Sequence, residues 1–406
     1  MPSQRLLKNI EIVLLSLMIL SLPSLEAPKN IFLVFFVLAG ILRQISNPER
    51  PRWSTWDNIF ALILGTALMS TLFAGMPHHG EWKGFNVLVT MITTGWLVSR
   101  GQYSNDELSL LFKAIVLGAI PPLGFGLWQL FATHAKNDLQ LHSVGHVNHS
   151  AIYLVMIFGS ALGWLLSCIK TTYPLKHVAL FALSLAFFLS LIVGLSRGAV
   201  GIGFILALII TLSLSRGWLV KSLGIASIII IAALAVILNA GVVQKERNQE
   251  KNNAVLALRD KVWNVSLEAS RFSPVLGIGM SNWGYITLDD LKKSVEKRHR
   301  TFDPKNYNLA GHSHNLYLTA LVDRGIVGLG VTLILMFAWL WHLIKTFKLT
   351  KLSNQAMYLW AGSVSAWVAT FGIGFVNTTF HHEHGILACL LLGLYLNYSQ
   401  SNQQNL

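Results

Sequence analysis

Apolar runs of roughly 17 to 25 residues recur along most of this 406-residue chain. A helix of that length crosses a hydrocarbon core about 30 Å thick, and in lipid every backbone polar group must find its hydrogen bond within the protein. Charged residues make up only 12% of the chain, against about 25% in soluble domains. The pattern therefore predicts an all-α polytopic membrane protein.

The apolar runs predict about twelve transmembrane helices. Pro121 and Pro122 lie inside the fifth run, so a kink is expected there. No small-residue cleavage site follows the first run, which indicates a retained span rather than a signal peptide. The predicted spans are residues 9–26, 30–43, 57–75, 84–99, 108–133, 150–168, 177–194, 198–215, 218–240, 325–345, 356–376 and 385–398.

The distribution of Lys and Arg predicts the orientation of these spans. One set of short loops and ends is rich in basic residues, among them Arg43, Arg100 and Lys345. The positive-inside rule places that set, with both termini, in the cytoplasm. Most of the 14 histidines then fall on the opposite side, which favours proton-transfer chemistry there. The basic residues of the short outer loops are Lys29, Lys83, Lys136 and Arg197.

The same spans divide the chain into three parts. Residues 1–240 hold transmembrane helices one to nine, and residues 325–406 hold helices ten to twelve with a cytoplasmic C-terminus. Residues 241–324 form a large outer loop, for which we expect amphipathic helices and a functional motif. Cys168 and Cys389 lie in or beside apolar runs without C-x-x-C spacing, as buried free thiols do. The formal charge of +13 is typical of membrane topology, and we find no nucleic-acid-binding motif.

Arg197 lies in "GLSRGAVGIG", residues 194–203, in a nearly loopless reversal between two apolar runs. A guanidinium so close to hydrocarbon is costly without a partner, and its fork of donors matches phosphate oxygens. The segment therefore indicates either an anion-binding site or an arginine that reaches the interface or an internal carboxylate.

The segment 254–283 of the large loop begins with helical periodicity. Val255, Leu258, Val262 and Val265 share one face, which predicts an amphipathic helix lying along the outer membrane surface. Arg259 on this helix either faces a substrate head group or pairs with a nearby carboxylate. The helix is expected to end at "SPVLGIG", with Pro274 and two glycines.

A third motif, "GHSHNLYL" at residues 311–318, precedes an apolar run. His314 at the mouth of a helix is suited to accept a proton from a bound hydroxyl, or it simply hydrogen-bonds at the helix start. His312 is a possible supporting partner. Neither His312-x-His314 nor "HHEH" at 381–384 has the spacing of a zinc site, and without a phosphate-binding glycine loop no ATP drive is expected.

These motifs together resemble the O-antigen ligase family of lipopolysaccharide assembly. The resemblance is carried by "LSRGA" before one span, by "R…W…SPVLGIGMSNW" in the loop, and by "HN" followed by nine residues and "GIVG". "VNHSAIYL", residues 147–154, is similar to a segment of related polymerases and protein O-oligosaccharyltransferases. The resemblance covers roughly residues 145–395, while the first four spans match only in hydrophobicity.

The resemblance implies a GT-C-type membrane glycosyltransferase of the bacterial inner membrane. Its donor would be O-antigen polysaccharide on undecaprenyl diphosphate, and its acceptor a sugar hydroxyl of lipid A-core. The reaction would occur at the periplasmic face with inversion at the anomeric carbon, without a metal and without a cofactor. The membrane spans would hold the lipid parts of both substrates.

Carried onto this sequence, the family's catalytic residues are Arg197, Arg259 and His314, with Arg271 a competitor for the position of Arg259. Two arginines would stabilise the leaving diphosphate, and His314 would be the general base. The basic run 292–300 either helps to hold the phosphorylated acceptor or is a solvated face. Further expected contacts to the diphosphate or glycan are His312, Asn315, Asn148, His149, Arg271 and Arg324.

Three other functions remain open at this stage. An O-antigen polymerase and a protein O-oligosaccharyltransferase share the donor and the catalytic groups. A transporter of lipid-linked oligosaccharide is the alternative from another class, although a transporter is expected to carry charge along a cavity through the membrane. The sequence identifies neither the sugars nor the oligomeric state.

Overall fold

The protein is built from helices, which satisfy their backbone hydrogen bonds internally. A computed structural model describes residues 4–78, 80–141, 146–169, 174–215, 217–237, 241, 244 and 258–402. Throughout these ranges helices are joined by turns, and no β-strand occurs. The predicted all-helical, polytopic membrane architecture is thereby confirmed in outline.

Ten helices precede the large loop in the described part of the chain: α1 Gln4–Ser21, α2 Glu26–Ser46, α3 Thr55–Leu72, α4 Glu81–Ser99, α5 Asn105–Gly118, α6 Ile120–Phe131, α7 Val147–Cys168, α8 Pro174–Val193, α9 Arg197–Leu214 and α10 Trp218–Ile237. The loop contributes α11 Arg259–Ala269 and α12 Leu288–Glu296. After it come α13 Leu316–Lys345, α14 Asn354–Trp367, a π-helical turn Val368–Gly372, and α15 His382–Ser401.

Six of the described segments are long and apolar enough to cross a membrane. They are α2, the run Asn105–Phe131 that joins α5 to α6, α7, α8, α9 and α13. A shorter apolar helix covers Trp218–Leu234 in α10. The count of about twelve spans therefore stays a prediction, and the end of the predicted ninth span, 238–240, lies outside the described residues.

The predicted kink in the fifth span is present. Helix α5 ends at Gly118, α6 begins at Ile120, and Pro121 and Pro122 lie in the first turn of α6. Proline is tolerated there because the first N–H groups of a helix have no intrahelical acceptor. The proline pair thus divides one apolar run into two helices.

Helix α7 lies at the centre of the bundle and is buried along most of its length. It contacts α14 closely through two glycines. A Cβ atom on Gly159 would lie 2.1 Å from Ser365 Oγ, and one on Gly163 would lie 2.1 Å from Ala361 Cβ. Small residues at such spacing let membrane helices approach one another, and this contact fixes where the N-terminus of α7 emerges.

Helix α13 starts earlier than the predicted tenth span and is broken within. It begins at Leu316 rather than at 325, because Asn315 caps it with a side chain that accepts from two backbone N–H groups. Gly325 interrupts it with φ 66° and ψ −166°. The backbone groups freed at the break are satisfied by the segment 274–279: Ile326 N donates to Pro274 O at 2.8 Å, and Ile278 N donates to Val322 O at 2.9 Å. We call the break at Gly325 together with segment 274–279 the glycine latch.

The large loop has a hydrophobic core of its own. Val262 and Val265 on α11 are buried against Trp283, Ile278 and, from α13, Val322. The buried face of α11 thus packs inside the loop, as well as presenting its first residue to the membrane helices.

The predicted start of this helix is wrong in position. It begins at Arg259, because Leu258 has left-handed backbone dihedrals with φ 62° and cannot continue a right-handed helix. Leu258 is 49% exposed rather than part of the buried face. Val255 lies outside the described residues.

Buried ion pairs join α1 to α2 and the end of α4 to α3. Arg43 of α2 binds Glu11 of α1, and Arg100 after α4 binds Asp57 of α3 at 2.9 Å. At the end of the bundle where α2 and α15 begin, Lys29 binds Glu383 at 2.6 Å. Each of these charges is less than one-tenth exposed and is paired, as burial in an apolar bundle requires.

Candidate active site

Arg197 is the first residue of α9 and follows a sharp reversal from α8. The reversal is made by Leu195, whose φ of 54° is rare for a bulky residue. Arg197 lines a small cavity of about 170 Å³. The tight turn therefore positions the Arg197 guanidinium in a polar cavity at the start of α9.

Arg259 enters the same cavity from the large loop. Arg259 is the first residue of α11, and the left-handed backbone of Leu258 turns the chain into this helix. Burial lowers the pKa of the Arg259 guanidinium, and the positive charge of Arg197 lowers it further. Two arginines that are distant in sequence thus lie close enough to repel, and an anion between them would relieve that repulsion.

Three helix N-termini face this cavity. Its lining includes Val147 and Asn148 from the start of α7, Arg197 and Gly198 from the start of α9, and Arg259 from the start of α11. The first N–H groups of a helix lack intrahelical partners and carry the positive end of the helix dipole. Backbone and side chains together therefore favour an anion such as phosphate.

His314 is held by the turn that precedes α13. Its backbone is left-handed with φ 49°, and the two residues that follow it are anchored. The side chain of Asn315 donates to Phe375 O at 2.9 Å, and Leu316 N donates to Gly374 O at 2.8 Å. The chain between α14 and α15 therefore positions the imidazole.

The ring of His314 is joined to the arginine cavity through Asn377. The Asn377 side chain hydrogen-bonds the ring and also lines the cavity with Arg197 and Arg259. Burial lowers the pKa of His314 to about 4, and the charges of His312 and Arg259 act in the same direction, whereas the bond to Asn377 raises it. His314 is consequently a neutral base at neutral pH.

One ring nitrogen of His314, Nδ1, can still form a hydrogen bond. Among the described residues, none bonds Nδ1 of His314. The ring of His312 packs against it with centroids 4.0 Å apart, and burial lowers the pKa of His312 as well. The structure thus brings together Arg197, Arg259, His314 and His312.

The other predicted contacts take different places. Asn148 Oδ1 accepts from Ser196 Oγ at 3.1 Å at the cavity wall. Asn315 uses its side chain to cap α13, so its role is to hold the turn. Arg271 has a side chain that is 53% exposed and lies 3.8 Å from Glu268, away from the arginine cavity. Arg324 is buried in α13 and donates to Thr332 Oγ1 at 2.8 Å.

His149 belongs to a cluster of imidazoles beside the site. Its ring centroid lies 5.3 Å from His146, 5.2 Å from His382, 5.1 Å from His384 and 6.0 Å from His381. Despite this density, no three His, Cys, Asp or Glu side chains in the described ranges are arranged to hold a metal ion.

The basic run 292–300 begins in the second half of α12 and continues beyond its end, and Lys292, Lys293 and Arg298 are paired. Lys293 contacts Asp289 at 2.6 Å and Lys292 contacts Glu296 at 3.9 Å, both in exposed positions. Ser294 of α12 and Arg298, just after α12, both donate to Glu268 of α11, so they fasten this segment to α11. The solvated-face alternative agrees better with this arrangement than a ligand site does.

Asn377 is the site residue that sequence reasoning missed. It occurs in "GFVNTTFHHEH", residues 374–384, where a polar group breaks an apolar run shortly before three histidines. An uncharged amide at the end of a span is common, so nothing in the sequence distinguishes Asn377 from other polar residues in such positions. Only its contacts with His314 and the arginine cavity single it out.

Comparison with known proteins bears on this constellation. No curated protein matches the chain. A family model described as O-antigen ligase matches residues 179–333, the stretch that contains Arg197, Arg259 and His314. The match confirms, over residues 179–333, the resemblance to the O-antigen ligase family that the motifs predict.

Proposed function

We propose that this protein is an O-antigen ligase, a GT-C-type membrane glycosyltransferase. It transfers O-antigen polysaccharide from undecaprenyl diphosphate to a sugar hydroxyl of lipid A-core. The observation that carries the proposal is that Arg197 and Arg259 line one small cavity, while His314 is hydrogen-bonded to Asn377 in the wall of that cavity. The family match over the same residues supports it.

The arginine cavity is the site for the donor diphosphate. Both guanidinium groups and the three helix N-termini present positive charge to one hollow, and the described residues that line it include no Asp or Glu. As the glycosidic bond breaks, its electron pair leaves with the diphosphate, where negative charge grows. Preorganised donors stabilise such charge at the moment it develops, so the protein itself supplies what a divalent cation supplies in other transferases.

His314 is the general base of the reaction. The acceptor hydroxyl oxygen forms the new bond to the anomeric carbon, and its proton passes to a ring nitrogen of His314. Attack from the face opposite the diphosphate inverts the anomeric carbon. A pKa of about 4 in the free protein makes His314 a weak base, but a bound diphosphate favours the imidazolium and raises that pKa toward neutrality.

The wider setting follows from the apolar helices. We place the protein in the bacterial inner membrane with both termini cytoplasmic and with the active site on the periplasmic side. The polyprenyl chain of the donor and the acyl chains of the acceptor stay in the bilayer. In this proposal no metal and no cofactor takes part, and residues 241–324 act as the periplasmic loop domain.

A purified-component assay tests the proposal. The protein in detergent, with lipid-linked O-antigen and lipid A-core lacking O-antigen, should form product without ATP. His314→Gln should lower turnover by roughly 10²- to 10⁴-fold, the range for general-base catalysis. His299→Gln is the matched control, because His299 is exposed and also has left-handed backbone, φ 57°. Full turnover by the His314 variant would end the general-base assignment.

Deleting the gene in its host separates the ligase from its rivals. Loss of a ligase leaves unsubstituted core beside accumulated lipid-linked polymer. Loss of a polymerase leaves core that carries a single repeat unit. Loss of a protein O-oligosaccharyltransferase removes glycan from protein instead, and loss of a transporter strands lipid-linked sugar on the cytoplasmic side.

A further inference from the structure

A second and larger cavity lies between α4 and α13, close to the proposed catalytic groups. Its volume is about 460 Å³, within the roughly 300–1,000 Å³ typical of small-ligand sites. Its wall combines apolar side chains such as Met91 and Leu88 with Lys83, Asp323 and Arg324. We call it the α4–α13 cavity.

Two buried charged groups in this wall have unused hydrogen-bonding atoms. Arg324 is 8% exposed and Asp323 is 7% exposed. Within the described residues, neither Nη1 of Arg324 nor Oδ1 of Asp323 has a hydrogen-bond partner. Buried polar atoms are nearly always paired in native structures, and an uncompensated buried charge is strongly destabilising. A ligand with both acceptor and donor groups would satisfy both atoms.

The two cavities are linked by residues that contact the proposed base or its neighbour. Asn377, which hydrogen-bonds His314, lines the arginine cavity. The next residue, Thr378, lines the α4–α13 cavity and lies 3.4 Å from Thr319 through their hydroxyl oxygens. Thr319 in turn shares a hydrogen bond with Ser313, the neighbour of His314. His314 is therefore connected to the arginine cavity through Asn377, and its neighbour Ser313 is connected to the α4–α13 cavity through Thr319 and Thr378.

We propose that the α4–α13 cavity binds the sugar end of the acceptor, and specifically a hydroxylated glycan that carries an anionic group. The proposal rests on the proposed function. Arg324 and Lys83 bind the anionic group, a carboxylate or phosphate, because guanidinium and ammonium are the side chains suited to it. Asp323 accepts from a sugar hydroxyl. Bound in this way, the acceptor approaches His314 from the side opposite the donor diphosphate.

Steady-state kinetics with two variants test the assignment. Lys83→Gln removes the exposed cation of the cavity, and Val87→Trp fills part of its volume from α4. Each should raise the KM for lipid A-core about tenfold, in line with the loss of a charged hydrogen bond or of ligand space. The KM for the lipid-linked donor should stay unchanged. Lys136→Gln, in an exposed loop away from the cavity, is the control and should alter neither KM.

Three outcomes would overturn the assignment. They are an unchanged acceptor KM in both variants, an equal rise in donor and acceptor KM, and an effect as large in Lys136→Gln. Arg324→Lys, which retains charge, should be milder than Arg324→Gln, and thermal unfolding of both identifies any failure to fold.

Direct binding distinguishes this inference from the proposed reaction. Core oligosaccharide released from lipid A, titrated into the detergent-solubilised protein by calorimetry, should bind in the wild type and in His314→Gln. Binding should weaken about tenfold in Lys83→Gln, and enzymatic dephosphorylation of the oligosaccharide should weaken it in the wild type. Binding without turnover would refute the ligase reaction alone, whereas turnover without any binding effect at Lys83 or Val87 would refute the cavity assignment alone.

Discussion

Replacing Gly325 by alanine should disrupt the glycine latch and, through it, the active site. Gly325 has φ 66°, and a Cβ atom there would lie 2.2 Å from Val275 O. Left-handed backbone in a residue other than glycine costs about 1–3 kcal/mol. Moving the segment away also weakens the bonds from Ile326 N to Pro274 O and from Val327 N to Val275 O, at roughly 1–3 kcal/mol for each buried donor left unpaired.

These contributions together predict a loss of about 3–9 kcal/mol in the free energy of unfolding. Thermal unfolding in detergent should show a Tm lower by on the order of 5–10 °C. Turnover should also fall, because the latch connects the loop that supplies Arg259 to the helix that follows His314. The assay is a paired measurement of Tm and initial rate on one preparation.

The same helix offers a matched control. Gly330 lies in α13 too, but a Cβ atom there would have nothing within 4 Å. Gly330→Ala should leave Tm unchanged or slightly raised, because alanine is the better helix former by about 1 kcal/mol. Equal Tm and equal turnover in Gly325→Ala and Gly330→Ala would refute the reasoning, since the two variants differ only in backbone geometry and surroundings.

Three further outcomes are expected. Asn377→Ala should lower turnover about tenfold with little change in Tm, because it removes the hydrogen bond that orients His314; unchanged turnover would contradict this. Arg259→Gln removes a positive charge that disfavours the imidazolium, so the pKa of His314 should rise from about 4 toward its ordinary value. The pH dependence of diethylpyrocarbonate labelling at His314, read by peptide mass spectrometry, would then shift its midpoint upward, and an unmoved midpoint would count against the proximity. Glu11→Gln breaks a fully buried pair with Arg43, and denaturation should show a loss of about 3–5 kcal/mol, against no loss for the exposed Glu49→Gln.

The candidate site was accessible from sequence because charge is scarce in this chain. Arg197 lies beside an apolar run and His314 lies just before one. Placing such polar side chains next to hydrocarbon costs free energy, so both residues are candidates for a functional site. The structure adds that Arg197 and Arg259 line the same cavity and that His314 is hydrogen-bonded to Asn377 in its wall. It also separates Arg259 from Arg271, which pairs at the surface with Glu268. Sequence spacing could not make that distinction, because the large loop diverges from the family and Arg271 lies only twelve residues after Arg259.

The helical membrane class and the types of side chain available for chemistry could be predicted from the sequence. Hydrophobic run length and the scarcity of charge are local properties that can be recognised along the chain without its fold. Packing of the helices is needed to know which residues come into contact: Asn377 with His314, segment 274–279 with the break at Gly325, and Arg324 with a separate cavity. Those contacts depend on how each helix is rotated about its axis and shifted along it relative to its neighbours. Small residues such as Gly159 and Gly163 influence both, because they allow α14 to pack closely against α7.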